Sequence, residues 1–145
     1  MIQLPTLSIR QPWAIAILQY GKDVENRQWK FGKKYRGPIL LHASKTLTNN
    51  EYLEGLAAMP AGTAIGSFPH FEMVPRGGIV GACYLQDILD PIERDEGWAM
   101  SGCRRLMLRQ PVSLPFRQLP GALGFFKTTL TPAEHYSLTS AGLLQ

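Results

Sequence analysis

Three charged residues at close spacing, in the pattern Gly21-Lys22-x-x-Glu25-x-Arg27, are the side chains of this chain best suited to chemistry on an anion. Arg27 offers a planar fork of donors for a phosphate or a base edge, and Lys22 offers a movable positive charge or a nucleophile. Glu25 can orient either of them or act as a base. The same spacing also suits an ion pair that only stabilises the fold. The pattern therefore predicts either a charged cleft or a structural ion pair.

Positive charge is concentrated around this pattern. Residues 22–45 hold seven basic and two acidic side chains, a local net charge of +5, whereas the rest of the chain has a net charge of −1. Such an uneven distribution indicates a face that meets an anion, because an even spread would bear only on solubility. We therefore expect a basic rim around the motif, made of Lys30, Lys33, Lys34, Arg36 and Lys45.

Aromatic and hydrogen-bonding side chains are interleaved with these basic residues. Trp13 and Trp29 flank the motif, and Tyr35 lies within the basic segment. A single-stranded nucleic-acid site needs cations that follow phosphates and rings that stack on bases. Core packing is the alternative role for either tryptophan. His42 and Ser44 follow on an apolar strand, where a histidine is either a structural donor or a proton carrier.

The elements around the motif would hold it where a helix meets a strand. Residues 12–20 combine an early proline with an apolar stripe at helical spacing, and Gly21 ends the predicted helix. Residues 24–29 alternate as a strand does. This alternation places Glu25 and Arg27 on the same face, so that their heads can share one cleft.

The remaining pattern predicts a small α+β domain. A helix is expected over residues 48–59, and the sequence Thr131-Pro132-Ala133-Glu134 is a capping box that opens another. Residues 60–78 are a long Gly- and Pro-rich connection, typical of a functional lid or a mobile insertion. About six short strands with flanking short helices predict a small β-barrel of α+β type. Besides residues 24–29, the predicted strands are 6–10, 38–44, 79–85 and 123–128, with further strand pieces at 106–108 and 112–116.

Composition limits the class of protein. A chain of 145 residues with 45% hydrophobic content fits a single domain over residues 1–145. No signal peptide and no apolar run near the roughly 18 residues of a membrane span is present, so we expect a cytoplasmic protein. Cys83 and Cys103 lack zinc-type spacing and are predicted to be free thiols. The acids of residues 87–96 are expected in a solvated turn. No cofactor is predicted, and the use of a divalent metal stays open.

Several motifs along the chain occur together in one known family. They are residues 7–14 (LSIRQPWA), 21–29 (GKDVENRQW), 35–37 (YRG), 42–45 (HASK), 78–81 (GIVG) and 121–126 (GALGFF). In these motifs the chain resembles the ASCH domain, the activating-signal-cointegrator homology domain. The resemblance spans nearly the whole chain and is most specific in its N-terminal third.

The resemblance implies a β-barrel related to the PUA fold and a role in binding RNA or a nucleotide. It also implies a cleft beside the barrel, lined by Lys22, Glu25 and Arg27. Some members of the family are reported to be single-strand ribonucleases. The candidate catalytic residues for such a reaction are Lys22, Glu25, Tyr35 and Lys45, with His42 and Ser44 nearby.

A shorter branch of the family deacetylates acetylated cytidine. There, the resemblance implies, the lysine at the Lys22 position acts with a threonine nucleophile at the position that Glu25 occupies here. The absence of that threonine argues against an acetylcytidine amidohydrolase.

The sequence therefore predicts an RNA-binding or single-stranded nucleic-acid-binding domain with a basic cleft for a base or nucleotide. Its alternatives are a single-strand ribonuclease, a modified-nucleoside amidohydrolase, and an adaptor that docks a protein partner through residues 60–78. The predicted nucleic-acid contacts are Trp13, Lys22, Arg27, Trp29, Lys30, Lys33, Lys34, Arg36, His42, Ser44 and Lys45.

Overall fold

The computed structural model describes residues 1–28 and 35–145, which form one six-stranded sheet and three α-helices. The strands are β1 (Gln3–Ile9), β2 (Val24–Arg27), β3 (Gly37–Ala43), β4 (Gly78–Leu89), β5 (Arg104–Gln118) and β6 (Phe125–Thr129). The helices are α1 (Trp13–Gln19), α2 (Asn49–Ala57) and α3 (Pro132–Ser140). The predicted α+β class is thereby confirmed.

The sheet is open. Its strand order is β2-β5-β4-β3-β1-β6, and within the described residues no pairing joins the two outer strands, β2 and β6. The expected closed barrel is therefore not confirmed. The long strand β4 is irregular, with one register shift against β3 and three against β5. Such bulges increase the local twist and bend a sheet.

The parallel pairing of β1 with β3 determines where the charged motif lies. Ser8 is opposite His42 in this pairing, and all other neighbouring strands run antiparallel. Parallel strands need a crossover connection, and α1 and β2 both lie in it. The C-terminal ends of β1 and β3 thus meet at one edge of the sheet, beside the helix and strand that flank Lys22.

Both faces of the sheet carry an apolar core. In β3, Ile39 and Leu41 pack in one cluster with α1, whereas Leu40 packs on the other face with residues of α3. Cys83 is buried in β4, and burial raises the pKa of this thiol to about 12. Cys103 is also buried, and both cysteines are free, as predicted. Among the described residues, no helix is long and apolar enough to cross a membrane.

One prediction about the C-terminal half of the sheet was incomplete, and another was wrong. The strand pieces predicted at 106–108 and 112–116 are parts of the single strand β5. Gln110 adopts a positive φ of 52°, and the register shifts beside it, so the chain passes Pro111 as a bulge without ending the strand. Asp87, expected in a solvated turn, lies within β4, which continues to Leu89.

The long connection over residues 60–78 packs against two helices. It contains two single turns of 3-10 helix, Ile65–Ser67 and Phe71–Met73. Phe68 and Val74 are buried in a cluster with α1 and α2 residues, and the rings of Tyr20 and Phe68 stack with centroids 3.8 Å apart. This connection therefore holds α1 in place from its outer side.

The predicted capping box at the start of α3 is confirmed, and Glu134 also binds Arg117. Two guanidinium nitrogens of Arg117 each donate to this carboxylate at 2.8 Å, and the Thr131 N–H donates to it at 3.0 Å. Burial by itself raises the pKa of Glu134, but the donors from Arg117 and Thr131 outweigh burial, so this pKa lies below its usual value.

We expect Glu134→Gln to lower the free energy of unfolding by about 1.5–3 kcal/mol at pH 7, because it removes a charge-assisted pair and keeps the cap. The pKa of Glu134 is lower in the folded state than in the unfolded state. The contribution of its ion pair to stability is therefore complete above the unfolded-state pKa and is lost as the pH falls through the folded-state pKa. Urea unfolding of both proteins over a pH series measures the difference. A difference that stays constant down to about pH 3 would contradict the assignment.

Candidate nucleic-acid site

Lys22, Glu25 and Arg27 form one hydrogen-bonded series of charges. The Lys22 ammonium donates to Glu25 Oε1 at 2.9 Å, and Arg27 Nε donates to Glu25 Oε2 at 3.0 Å. Arg27 Nη2 donates further to the Ser8 carbonyl oxygen at 2.9 Å, which ties the series to the end of β1. Glu25 and Arg27 thus share a face of β2, as their alternation predicts.

Lys22 is buried, with only 4% of its surface exposed. Its ammonium also donates to the Val24 carbonyl oxygen and lies 5.6 Å from the centroid of the Trp13 ring. A buried ammonium needs such partners, because it has lost its hydration. Lys22 therefore holds Glu25 in position and does not extend into solvent.

The local fold places Lys22 at the junction of α1 and β2. Gly21 adopts the left-handed conformation at φ 78°, which turns the chain out of the helix. The Lys22 N–H then donates to the Ala16 carbonyl oxygen at 3.1 Å. Strand β2 follows at once and pairs with β5, with Glu25 opposite Leu106. Both ends of the short motif are thereby anchored in the core.

An open cavity of about 630 Å³ lies above this series, and we call it the first cavity. Its walls come from the end of β1, the start of α1, β2 and the loop of residues 119–124. Leu123, at the tip of that loop, is fully exposed. The polar and aromatic side chains that line the cavity are Ser8, Arg10, Trp13, Glu25, Asn26, Arg27 and Ser44.

A smaller cavity of about 270 Å³ lies beside the first one, and Trp13, Glu25 and Asn26 line both. Its outer wall includes Trp98. The side-chain amide of Asn26 fixes this wall, since it donates to the Trp98 carbonyl oxygen and accepts from the Met100 N–H, each at 2.9 Å. The residues just after the acidic segment of 87–96 therefore pack over β2, and Asp95 of that segment lines the smaller cavity.

His42 is buried behind Ser8, with 1% of its surface exposed. Its Nε2 lies 2.6 Å from the Leu119 carbonyl oxygen, which can only accept, so Nε2 carries a proton. In the neutral imidazole, Nδ1 then accepts from the Ser8 hydroxyl at 2.9 Å. The Ser8 hydroxyl is also 3.0 Å from that of Ser44. This hydrogen-bonded chain joins β1, β3 and the 119–124 loop.

The 119–124 loop approaches this polar chain closely at Gly121. A Cβ atom there would lie 2.8 Å from His42 Cε1 and 3.0 Å from the Ser8 hydroxyl oxygen. Only glycine avoids both contacts. On the far side of the loop, a second cavity of about 580 Å³ opens, and Ser8 and Ser44 line it as they line the first. Lys45 and Arg76 also line this second cavity.

The structure brings together most of the described residues that the sequence nominated. Trp13, Glu25, Arg27 and Ser44 line the first cavity, and Lys22 lies against Glu25. His42 and Lys45 lie on the side of the second cavity. Trp29, Lys30, Lys33 and Lys34 lie outside the described residues.

Two nominated residues lie apart from this group, at the start of β3. The Tyr35 hydroxyl donates to the Pro38 carbonyl oxygen at 2.6 Å, and burial, followed by the nearby Tyr84, raises its pKa. Arg36 pairs with Asp87 at 2.9 Å. At roughly 3.3 Å per residue, about 25 Å of strand separates Arg36 from Ser44. Tyr35 and Arg36 therefore do not join the cavities.

Several site residues were not nominated from the sequence. Ser8 reaches the site through the parallel register of β1 and β3, for which no local pattern exists. Trp98 and Arg76 come from connections far along the chain. Arg10 was also not nominated, although the sequence carries a signal for it: it is a charged residue at the end of an apolar strand, close to Trp13. In residues 1–28 and 35–145, no three His, Cys, Asp or Glu side chains are grouped as a metal site would require.

Comparison with known proteins adds one finding. The family model of the ASCH domain matches residues 7–115, well over half of the chain. The match includes the charged series, the polar chain of Ser8, His42 and Ser44, and most of the sheet. No curated protein matches the chain significantly.

Proposed function

We propose that this chain, which belongs to the ASCH domain family, binds RNA or another single-stranded nucleic acid with a base in the first cavity. The observation that carries the proposal is that an aromatic ring, a fixed carboxylate and two arginines line one open cavity. These are Trp13, Glu25, Arg10 and Arg27. The volume of about 630 Å³ lies within the range of about 300–1,000 Å³ that small-molecule sites have.

Each group has a distinct use in such a site. The ring of Trp13 offers a stacking surface, which accepts any base. Glu25 receives one hydrogen bond on each oxygen from Lys22 and Arg27, and a carboxylate has about four lone-pair sites. It can therefore accept another hydrogen bond from the amino or imino group of a base. Arg10 has a half-exposed side chain that forms an ion pair with Glu51, and its remaining N–H donors can meet a phosphate.

The geometry supports binding more than RNA hydrolysis. Both ring nitrogens of His42 are engaged within the protein, and the histidine is covered by the 119–124 loop. Lys22 is held by Glu25, and the family resemblance implies a threonine nucleophile at the position of Glu25 in the deacetylating branch. A catalytic group also needs to reach the reacting atoms. Binding of a nucleotide does not require His42 or Lys22 to reach a reacting atom.

A randomised ten-nucleotide single-stranded RNA is expected to bind the purified protein at low salt. The logarithm of the affinity should fall linearly with the logarithm of the salt concentration, with a slope of about −0.7 for each phosphate contacted. Arg10→Ala should make this slope shallower by about 0.7, because it removes one contact. Fluorescence anisotropy over a salt series measures both quantities.

Lys127→Ala is the matched control for that experiment. Lys127 is exposed on β6 and lines neither of the two large cavities, so its removal changes the net charge equally without touching the site. The proposal fails if the wild-type protein does not bind the RNA at low salt. It also fails if Lys127→Ala and Arg10→Ala change the slope to the same extent.

A further inference from the structure

The second cavity has the composition of an anion site. Lys45, just after β3, and Arg76, just before β4, contribute its two positive charges. Among the described residues that line it, none is Asp or Glu, and neither cation forms a salt bridge within the described part of the chain. The charge of this cavity is therefore not balanced by a carboxylate.

Arg76 is held in place by neutral groups. Its guanidinium lies 4.5 Å from the centroid of the Phe71 ring and donates to the carbonyl oxygens of Leu47 and Phe71 at 3.3 and 3.4 Å. A guanidinium has five N–H donors, so donors remain for a ligand after these two bonds. An arginine that is positioned by a ring and by carbonyl groups loses little side-chain entropy when it binds a phosphate.

The Ser44 hydroxyl completes the donor set of this cavity. Ser8 and Ser44 both line it beside the two cations, but the Ser8 proton is donated to His42, so Ser44, which otherwise donates to Ser8, is the hydroxyl that can turn to a phosphate. Contacts to nucleic-acid phosphates are made by this mixture of Arg, Lys and Ser side chains. The cavity thus offers a phosphate both charge and directed hydrogen bonds.

The two cavities are adjacent parts of one surface. Ser8 and Ser44 belong to both, and the 119–124 loop borders the first cavity with residues 122–124 and the second with residues 119–121. We propose that the second cavity binds the phosphate group that links the nucleotide in the first cavity to its neighbour. This inference rests on the proposed function. It makes the site one for a strand of at least two nucleotides and not for a single nucleoside.

The double variant Lys45→Ala/Arg76→Gln tests the proposal. With the same ten-nucleotide RNA, we expect weaker binding at low salt and a salt slope that is shallower by about 0.7, because the two cations contact one phosphate. Lys45→Ala alone removes an exposed side chain that has no hydrogen bond among the described residues, and it should give part of this change, since Arg76 still contacts the phosphate. Lys45→Arg should keep the wild-type slope, since it keeps the charge.

The matched control is Arg109→Gln/Lys127→Ala, which removes the same two charges from exposed positions that line neither large cavity. Thermal unfolding shows which variants are folded. If the double variant that contains Arg76→Gln is unfolded, Lys45→Ala alone tests the proposal. RNA binding with a wild-type slope in Lys45→Ala overturns the inference and leaves the proposed function intact. Absence of RNA binding by the wild-type protein overturns both.

Discussion

Glu25→Ala is expected to lower the free energy of unfolding by about 3–5 kcal/mol, the usual cost of removing one partner from a buried ion pair. Lys22 would lose its counter-ion in a site where its side chain is 3% exposed, with the Val24 carbonyl oxygen and the Trp13 ring as its remaining partners among the described residues. Arg27 would also lose its carboxylate. Urea unfolding at neutral pH measures the loss.

Two comparisons separate this effect from a general loss of charge. Lys22→Met/Glu25→Leu replaces the ion pair with apolar side chains of similar volume, and it should be less destabilised than Glu25→Ala because no ammonium is left buried without its counter-ion. Asp90 pairs with Arg104, and the Asp90 side chain is 88% exposed, so Asp90→Ala should cost less than about 1 kcal/mol. If Glu25→Ala costs no more than Asp90→Ala, the charged series does not hold this part of the structure together.

Trp13→Leu is expected to weaken binding of the ten-nucleotide RNA by about 1–3 kcal/mol, or about five- to 150-fold, because it removes the stacking surface of the first cavity and keeps an apolar side chain. Trp13→Phe retains a ring and should recover much of this affinity. Fluorescence anisotropy at one low salt concentration measures both variants.

Trp98→Leu is the control for this prediction. Trp98 lines only the smaller of the two cavities that contain Trp13, so its replacement should weaken binding less. Trp13 is half-buried against the core, and thermal unfolding is therefore needed to show that Trp13→Leu is folded. Wild-type affinity in a folded Trp13→Leu protein would exclude stacking on this ring.

Local features of the site could be predicted because they depend on neighbouring residues. The end of α1 at Gly21, the shared face of Glu25 and Arg27, and the buried strand that carries His42 follow from helical and strand periodicity and from the conformational freedom of glycine. The caps of α2 and α3 follow from the hydrogen bonds that Thr48 and Thr131 make three residues ahead. These interactions join residues that are close in the sequence, so a local sequence pattern includes both partners.

The uneven distribution of charge predicted the residues of the site less completely. It located the charged series correctly, but it placed Arg36 and Tyr35 with that series when β3 separates them from it. A count of charges considers only how close residues are in the sequence. The two ends of an extended strand lie at opposite ends of a sheet, so residues close in sequence can be far apart in space. Arg76, which supplies a cation from outside the counted segment, was missed for the same reason.

The family, the α+β class and the three charged residues of the motif could be predicted from the sequence, since they depend on residue types and local spacing. What those charges do depends on the tertiary structure. The parallel register of β1 and β3 joins Ser8 to His42, and residues 119–124 divide the surface into two cavities. It also buries Lys22 under Trp13 and leaves Glu25 at the cavity wall. Contacts between residues more than 30 positions apart are set by packing of the whole sheet, and no periodicity within one segment specifies them.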